Sequence, residues 1–307
     1  MRIGILLGET SGPDALTRLT DELAAAAAAG FSSAWLSHIF GVDALTAIAV
    51  AGSRVPGIEL GTAVVPSYPR HPAALAQQAR TTALALGDNR LTLGVGLSHR
   101  PVIETMYGYD FGRPAHHMTE YLRVLLPLLD NRPASFQGDT VRAELALTVP
   151  NEGRVPVLLA ALGPRMLRLA GRETDGTTLW MTGPATVRSH IAPVIAEAAA
   201  EAGKPAPRVV CALPVCVTDD VEDARARAGK AFGFYGNLPS YRAMMDREGV
   251  AGPVDLALIG GEEQVAARIA EVAAAGATDF VGALFTRGES ADRTRALLSE
   301  LAGQPSR

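Results

Sequence analysis

The sequence predicts an α/β protein built as a (β/α)8 TIM barrel with insertions, and three observations predict it. Short apolar segments alternate along the chain with longer segments of helical period. Glycines close the helical segments (Gly30, Gly87, Gly203, Gly276) and prolines open them (Pro13, Pro72, Pro164, Pro184). Two consecutive strands, 58–65 and 90–96, each run out into a polar loop and are joined through a helix. Both exits therefore lie on one face of a parallel sheet, the face where such sheets bind ligands.

Taken in order, residues 2–7 form an apolar strand, and 13–29 a helix that starts at Pro13 and ends on the helix-forming alanine run before Gly30. A strand at 33–37 carries Trp35 and is followed by a helix at 43–53. The strand at 58–65 stops at Pro66, and the helix at 72–86 runs from Pro72 to Gly87. The strand at 90–96 mixes leucine and valine with Gly94 and Gly96, and its helix, 115–129, follows Pro114. Strand 155–161 turns at Gly163 into helix 164–171, and strand 177–180 leads into helix 184–202, bounded by Pro184 and Gly203. A valine-rich strand at 208–217, helices at 221–234 and 262–275, and a strand at 279–284 complete the series. Eight strands and eight helices are the count that closes such a barrel.

The whole chain, 1–307, reads as one barrel domain with two insertions. The first, near 131–154, contains Ser135-Phe-Gln-Gly-Asp-Thr140 and an alternating stretch over 141–149, the pattern of a small β-hairpin. The second, near 236–259, carries a short helix around 239–248. A doubly wound dinucleotide fold would place a Gly-x-Gly-x-x-Gly turn after its first strand. Leu7-Gly-Glu-Thr-Ser-Gly-Pro13 lacks that spacing, and Gly94-x-Gly96 has no third glycine.

A net charge of −4 gives no electrostatic case for nucleic acid or an anionic membrane surface as partner. Cys211 and Cys216 stand five residues apart in one apolar run, on opposite faces of a strand, and read as core thiols. The sequence opens on a strand without a basic-then-apolar leader, and no apolar run approaches a membrane span. A soluble cytoplasmic protein is the expectation.

The expected strand exits present Gly8 and Glu9; Ser37 and His38; Thr62, Ala63 and Val64; Ser98, His99 and Arg100; Leu162 and Gly163; Met181 and Thr182; Thr218; and Phe285, Thr286 and Arg287. They offer no carboxylate pair suited to glycoside chemistry and no His/carboxylate cluster at metal-ligand spacing, so no metal is expected. Two histidines, hydroxyls and apolar walls suit a flat organic cofactor that performs the redox step itself. His38 at a barrel mouth can exchange a hydrogen bond or stabilise charge on a reduced ring, or stand idle on the rim. His99 occupies the analogous place on the fourth strand, where Arg100 and Pro101 can turn it outward. His71, His116 and His117 precede or open helices and read as capping or surface groups; His190 reads as a solvated helix residue. From Leu162 to Met166 a strand turns at Gly163 into a helix N-terminus. The amides of Arg165 and Met166 there can bind a phosphate, with the Arg165 side chain adding charge. A plain βα turn with Pro164 at the first helical position accounts for the same letters.

Six segments together resemble the bacterial-luciferase-like family of flavin and deazaflavin oxidoreductases, and within it the branch that uses coenzyme F420. They are Trp35-Leu-Ser-His38, Leu60-Gly-Thr-Ala-Val-Val-Pro66, His71-Pro72, Leu93-Gly-Val-Gly96, Ala160-Ala-Leu-Gly-Pro164 with Ala170-Gly171, and Asp175-Gly176. The resemblance implies a homodimeric barrel with its active site at the strand C-termini. It also implies a non-prolyl cis peptide, Ala63–Val64, behind the central ring of the cofactor, and His38 near the reactive ring. Gly163, Pro164, Arg165 and Met166 would bind the phosphate of the tail, with Ser37, Thr62, Ser98, Leu162 and Thr182 among the remaining cofactor contacts. Relatives that oxidise a sugar phosphate carry a glutamate after the Gly-x-Gly strand and an acidic residue before the histidine. His99 and Ser37 stand at or beside those places here, which argues against that substrate and makes His99 the proton donor to another. The expected activity is hydride transfer between F420 and a small organic substrate, with His38 and His99 catalytic. An FMN-dependent monooxygenase acting with oxygen is the alternative, and a paralogue that binds cofactor without turnover is a third reading.

Overall fold

A computed structural model describes residues 1–8, 11–87, 89–150 and 153–304. Glu9, expected at the first strand exit, lies outside them, as do residues 151 and 152 of the first insertion. The first half of the chain holds β1 (Arg2–Leu7), α1 (Ala15–Ala28), β2 (Ser33–Leu36), α2 (Ala44–Gly52), β3 (Glu59–Thr62), β4 (Val65–Pro66), α3 (Pro72–Leu86), β5 (Leu91–Gly96) and α4 (Pro114–Leu129). A hairpin of β6 (Ala134–Gln137) and β7 (Arg142–Leu145) follows, then β8 (Val157–Ala160), α5 (Pro164–Glu173) and β9 (Gly176–Trp180). The rest comprises α6 (Pro184–Thr186), α7 (Ala192–Glu201), β10 (Arg208–Val217), α8 (Val221–Phe232), α9 (Pro239–Glu248), β11 (Leu258–Gly260), α10 (Glu262–Ala274), β12 (Asp279–Leu284) and α11 (Glu289–Gly303).

The strand order is β11-β10-β12-β1-β2-β3-β5-β8-β9, with β4 on β5 and β9 pairing back to β10. The order closes on itself as a parallel (β/α)8 barrel in which β3 and β4 share one position, and β11 is a short addition beside β10. Two compact units can be distinguished: Met1–Gly8 and Ala25–Trp35 with the chain from Ala161 onward, and the stretch Leu36–Ala160 with the early part of α1.

In the first unit β12 lies between β1 and β10, with Val281 opposite both Gly4 and Ala212. Phe280, Cys211 and Leu213 are fully buried, and burial of such side chains stabilises by about 1.5–3 kcal/mol each. Asp279 begins β12 at 1% exposure, with Arg208 of β10 at 2.7 Å and the Thr278 hydroxyl donating to it at 2.7 Å. A buried carboxylate needs such partners. Both cysteines are buried and free, and burial raises the pKa of each thiol, so both are unreactive core residues.

In the second unit β5 is buried along its whole length. The Arg90 guanidinium beside its start donates to the carbonyls of Gly52 and Leu86, the C-terminal residues of α2 and α3, and to those of Val55 and Ile58 in the loop before β3. The decisive feature is a change of register. Gly61 lies opposite Thr92, but Val65 lies opposite Val95. Thr62, Ala63 and Val64 therefore face only Leu93 and Gly94, a one-residue bulge. The Thr62 hydroxyl donates to the Gly94 carbonyl (2.8 Å) and accepts from the Gly94 amide (2.9 Å), replacing the ladder bonds the bulge interrupts. The Ala63 amide donates to the Leu36 carbonyl at 2.8 Å. The Ala63–Val64 peptide is cis, as the family resemblance implied. Gly94 is required by contact: a Cβ there would lie 1.9 Å from the Thr62 carbonyl oxygen.

Several elements differ from expectation. The single strand expected over 58–65 is two, divided at the bulge. The helix expected over 184–202 is broken by a π turn, Val187–Ile191, in which the Ala192 amide reaches back to the Val187 carbonyl. Pro193 has no N–H to continue an α-helical ladder there. A second π turn, Val102–Met106, follows the exit of β5. The eight expected barrel helices include α8 and α10 between the last two barrel strands, with the insertion helix α9 between them, and omit α11, which follows β12. Its buried residues Ala291, Thr294, Leu297 and Leu298 form a legible stripe among charged neighbours. The hairpin and the short helix of the two insertions are present. Among the described residues no helix is long and apolar enough to cross a membrane.

Gly94→Ala is expected to cost about 3 kcal/mol, because the neighbour it meets is backbone that cannot swing away. Urea denaturation should show a lower midpoint with an unchanged slope; an unaltered midpoint would mean the bulge is not held by this contact.

Candidate active site

In the Leu36–Ala160 unit, His38 leaves β2 half-buried. Its Nδ1 accepts from the Ala44 amide at the start of α2 (3.3 Å) and stands 3.7 Å from Asp43 Oδ2. Asp43 caps α2 through the Thr46 amide (2.8 Å), takes the Gln78 amide on Oδ1 (2.8 Å) and pairs with Arg70 on Oδ2 (2.8 Å). Burial opposes the charge of Asp43, but the hydrogen bonds from Arg70 and Thr46 outweigh it and hold the carboxyl at about 2. Arg70 is fixed in turn, donating to Gln78 Oε1 at 2.7 Å. Asp43 was legible in the sequence only as a helix start; nothing marked Arg70 and Gln78 as its partners.

Of the other expected ring contacts in this unit, Ala63 and Val64 are half-exposed at the bulge, and Ser37 and Ser98 are half-buried at strand exits. Ser98 adopts φ 60°, which turns the chain sharply after Gly96. Thr62 is fully buried and its hydroxyl is committed to Gly94, so its side chain fixes the wall without reaching a ligand. His99 is half-buried, and burial lowers its pKa. A ring that is neutral at neutral pH accepts a proton more readily than it gives one.

His117, expected as a surface or capping group, is 7% exposed. It shares the buried stripe of α4 with Tyr121 and Leu125, at helical spacing. Its Nε2 hydrogen-bonds with the buried Ser67 hydroxyl (3.1 Å), and Tyr68 stacks on it at 4.0 Å. Burial pushes its pKa down to about 4. The sequence also missed a cluster at ligand spacing, His116, Glu120 and Asp139. Glu120 Oε2 accepts from the Thr140 amide and hydroxyl (2.7 Å each) and the Val141 amide, and Oε1 from the Asp139 amide (2.9 Å). These bonds outweigh the burial that opposes its charge and hold the carboxyl at about 2. The carboxylate is committed to the β6–β7 turn, and the cluster acts as a clasp for the hairpin.

In the unit that runs from Ala161, Gly163 caps α5 with no side-chain hydrogen bond, and Pro164 is its first residue. The amides of Arg165 and Met166 stand in the first turn, and Arg165 is exposed. The chain before the turn is tied down by His190, whose Nε2 donates to the Leu162 carbonyl at 2.9 Å. His190, expected in solvent, is 7% exposed and lies in the π turn, where helical spacing misjudges the face. Thr182 is fully buried, with its hydroxyl on the Trp180 carbonyl (3.3 Å) and its own carbonyl accepting from Cys211. It supports a wall and presents no side-chain surface to a cofactor. Trp180 lies edge-on to Phe232 and Tyr235, and Phe232 to Phe285, an aromatic group at the exits of β9 and β12.

His117 gives a pH prediction. Its pKa is about 4 in the folded protein against about 6.5 unfolded, so the neutral ring contributes stability above pH 6.5 that is lost as pH falls toward 4. The stability gap between the protein and His117→Gln should therefore shrink by about 2 kcal/mol between pH 7 and 4.5. Urea midpoints across that range measure it, and a constant gap would place the ring in water.

The comparisons with known proteins bear on both units. A 30% identical relative over 190 residues (57% of this chain, 54% of that protein) is a putative coenzyme F420-dependent oxidoreductase of Mycobacterium tuberculosis. An uncharacterized protein of the same organism is 25% identical over 255 residues, covering 77% of this chain and 74% of its own. Among solved structures, an F420-dependent secondary alcohol dehydrogenase in complex with an F420–acetone adduct superposes with a TM-score of 0.80 at 18% identity, over 97% of each chain. The oxygenating constituent of 3,6-diketocamphane monooxygenase of Pseudomonas putida, a type II Baeyer–Villiger enzyme in complex with FMN, gives 0.75 at 18% identity, over 98% of this chain and 97% of that one. The family model for luciferase-like monooxygenases matches residues 1–279, and the chain belongs to that family.

Proposed function

We propose that the protein is an F420-dependent oxidoreductase moving a hydride between the deazaflavin and a small organic substrate such as an activated alkene, imine or alcohol. The observation that carries this reading is the bulge over Thr62, Ala63 and Val64. It holds two half-exposed residues at a strand exit on a backbone pinned by Thr62 and Gly94, a rigid wall for a flat ring. The F420-dependent relative at 30% identity supports the choice of cofactor.

F420, when bound, supplies two-electron hydride chemistry. Ser37 and Ser98 offer hydroxyls to the ring. His38, with Nδ1 accepting from Ala44, carries its proton on Nε2 and donates there. The first turn of α5 suits a phosphate: it has no side-chain cap, and an added Cβ at Gly163 would meet nothing within 4 Å. Leu162 and Pro164 set that turn, and the amides of Arg165 and Met166, with the Arg165 guanidinium, bind the charge. His99 is suited to take the proton from a substrate hydroxyl during oxidation and, by microscopic reversibility, to return it during reduction. The protein is taken to act in the cytoplasm as a homodimer with a small-molecule substrate, without nucleic-acid or membrane partners.

The second reading is an FMN-dependent monooxygenase, favoured by the FMN-bound neighbour. Fluorescence titration separates the two: F420 should bind at least tenfold tighter than FMN, and the reverse order would overturn the assignment. His38→Ala should lower turnover by about 10²-fold with cofactor affinity kept; unaltered turnover would remove His38 from the chemistry. In the oxidative direction kcat/KM should fall only below pH 6.5, because burial lowers the His99 pKa, and His99→Gln should abolish that limb. An acid limb above pH 6.5, or one that survives the substitution, would assign the base elsewhere.

A further inference from the structure

The Nδ1 atom of His38 stands between two opposed partners. The Ala44 amide donates to it at 3.3 Å, which requires Nδ1 to be unprotonated and leaves the ring proton on Nε2. Asp43 Oδ2, 3.7 Å from the same atom, is the acceptor an Nδ1–H would need. That oxygen is shared, because Arg70 holds it at 2.8 Å. The other carboxylate oxygen is occupied by the Thr46 amide and Gln78, so Oδ2 is the one able to change partners. Asp43 comes from the loop that carries His38 itself, Arg70 from the loop between β4 and α3, and the neutral Gln78 of α3 ties the two together.

We propose that Asp43 and Arg70 form a paired positioning device for His38. Asp43 is the counter-ion that receives Nδ1–H when the ring gains a proton, and Arg70, competing for the same oxygen, sets how readily the ring does so. A ring already carrying Nε2–H gains a proton only at Nδ1. The proton comes from solvent, the hydrogen bond from Ala44 breaks, and one from Nδ1–H to Oδ2 forms. Nε2–H meanwhile remains a donor in both states and becomes a stronger one in the charged ring. The first turn of α2, whose amide points at the ring, and Arg70 both favour the neutral form. Asp43 favours the charged form. Removing Arg70 and removing Asp43 must therefore act in opposite directions, which loss of packing at either residue would not produce.

This inference builds on the role given to His38 under the proposed function, yet it is tested without cofactor. The imidazole of His38 is followed by NMR in the full-length protein with labelled histidine, its resonance identified by its loss in His38→Gln. Asp43→Asn, which keeps an oxygen to cap α2, should lower the His38 pKa by about one pH unit, and Arg70→Gln should raise it by a similar amount. The nitrogen shifts should show the neutral ring protonated on Nε2. Arg70→Met serves in place of Arg70→Gln if the latter does not fold. Opposite shifts support the pair; any other pattern, or a neutral ring protonated on Nδ1, overturns it. Failure of F420 to bind would remove the proposed function and leave this result standing, and shifts of equal sign would do the reverse.

Discussion

The reciprocal hydrogen bonds between the Thr62 hydroxyl and both backbone groups of Gly94 hold the feature on which the second unit depends. A bulge leaves ladder groups of both strands without partners, and buried backbone groups that stay unpaired cost free energy. A threonine hydroxyl donates and accepts through one atom, and glycine is the residue that lets the Thr62 carbonyl approach so closely. With that bridge made, β3 and β4 serve as one barrel strand out of register with itself, and Ala63 and Val64 are set at its exit. Replace the bridge by ordinary pairing and the side chains beyond it would exchange faces.

Around this wall three histidines are held by different means. A helix amide occupies His38 Nδ1, burial lowers the pKa of His99, and burial takes that of His117 to about 4. Two carboxylates nearby are held in turn, Asp43 by Arg70 and Glu120 by the amides of the hairpin turn. Such surroundings favour chemistry in which neutral donors orient a ring and a single proton is moved.

The barrel was legible because its signals are local. Proline and glycine punctuation placed α3 at Pro72–Leu86, and apolar runs placed β1, β10 and β12 to the residue. Errors arose where local period fails: at the bulge, which needs a partner strand to define it, and at the π turns, which shifted His190 from solvent to interior. The α11 stripe is as local a signal as the apolar runs. Strand-exit position was legible for His38, His99, Ala63 and Val64. It could not tell that Thr62 and Thr182 turn their hydroxyls onto backbone, because both choices read alike in sequence. Asp43 and Arg70, 27 residues apart, meet only once α2 and the loop before α3 are folded.

Hydrogen exchange over residues 60–67, followed with and without F420, tests most directly whether the bulge is the wall against which a cofactor rests. Bound F420 should slow exchange across this segment and leave the β6–β7 hairpin unaltered. Saturating F420 that leaves residues 60–67 exchanging as before would contradict it.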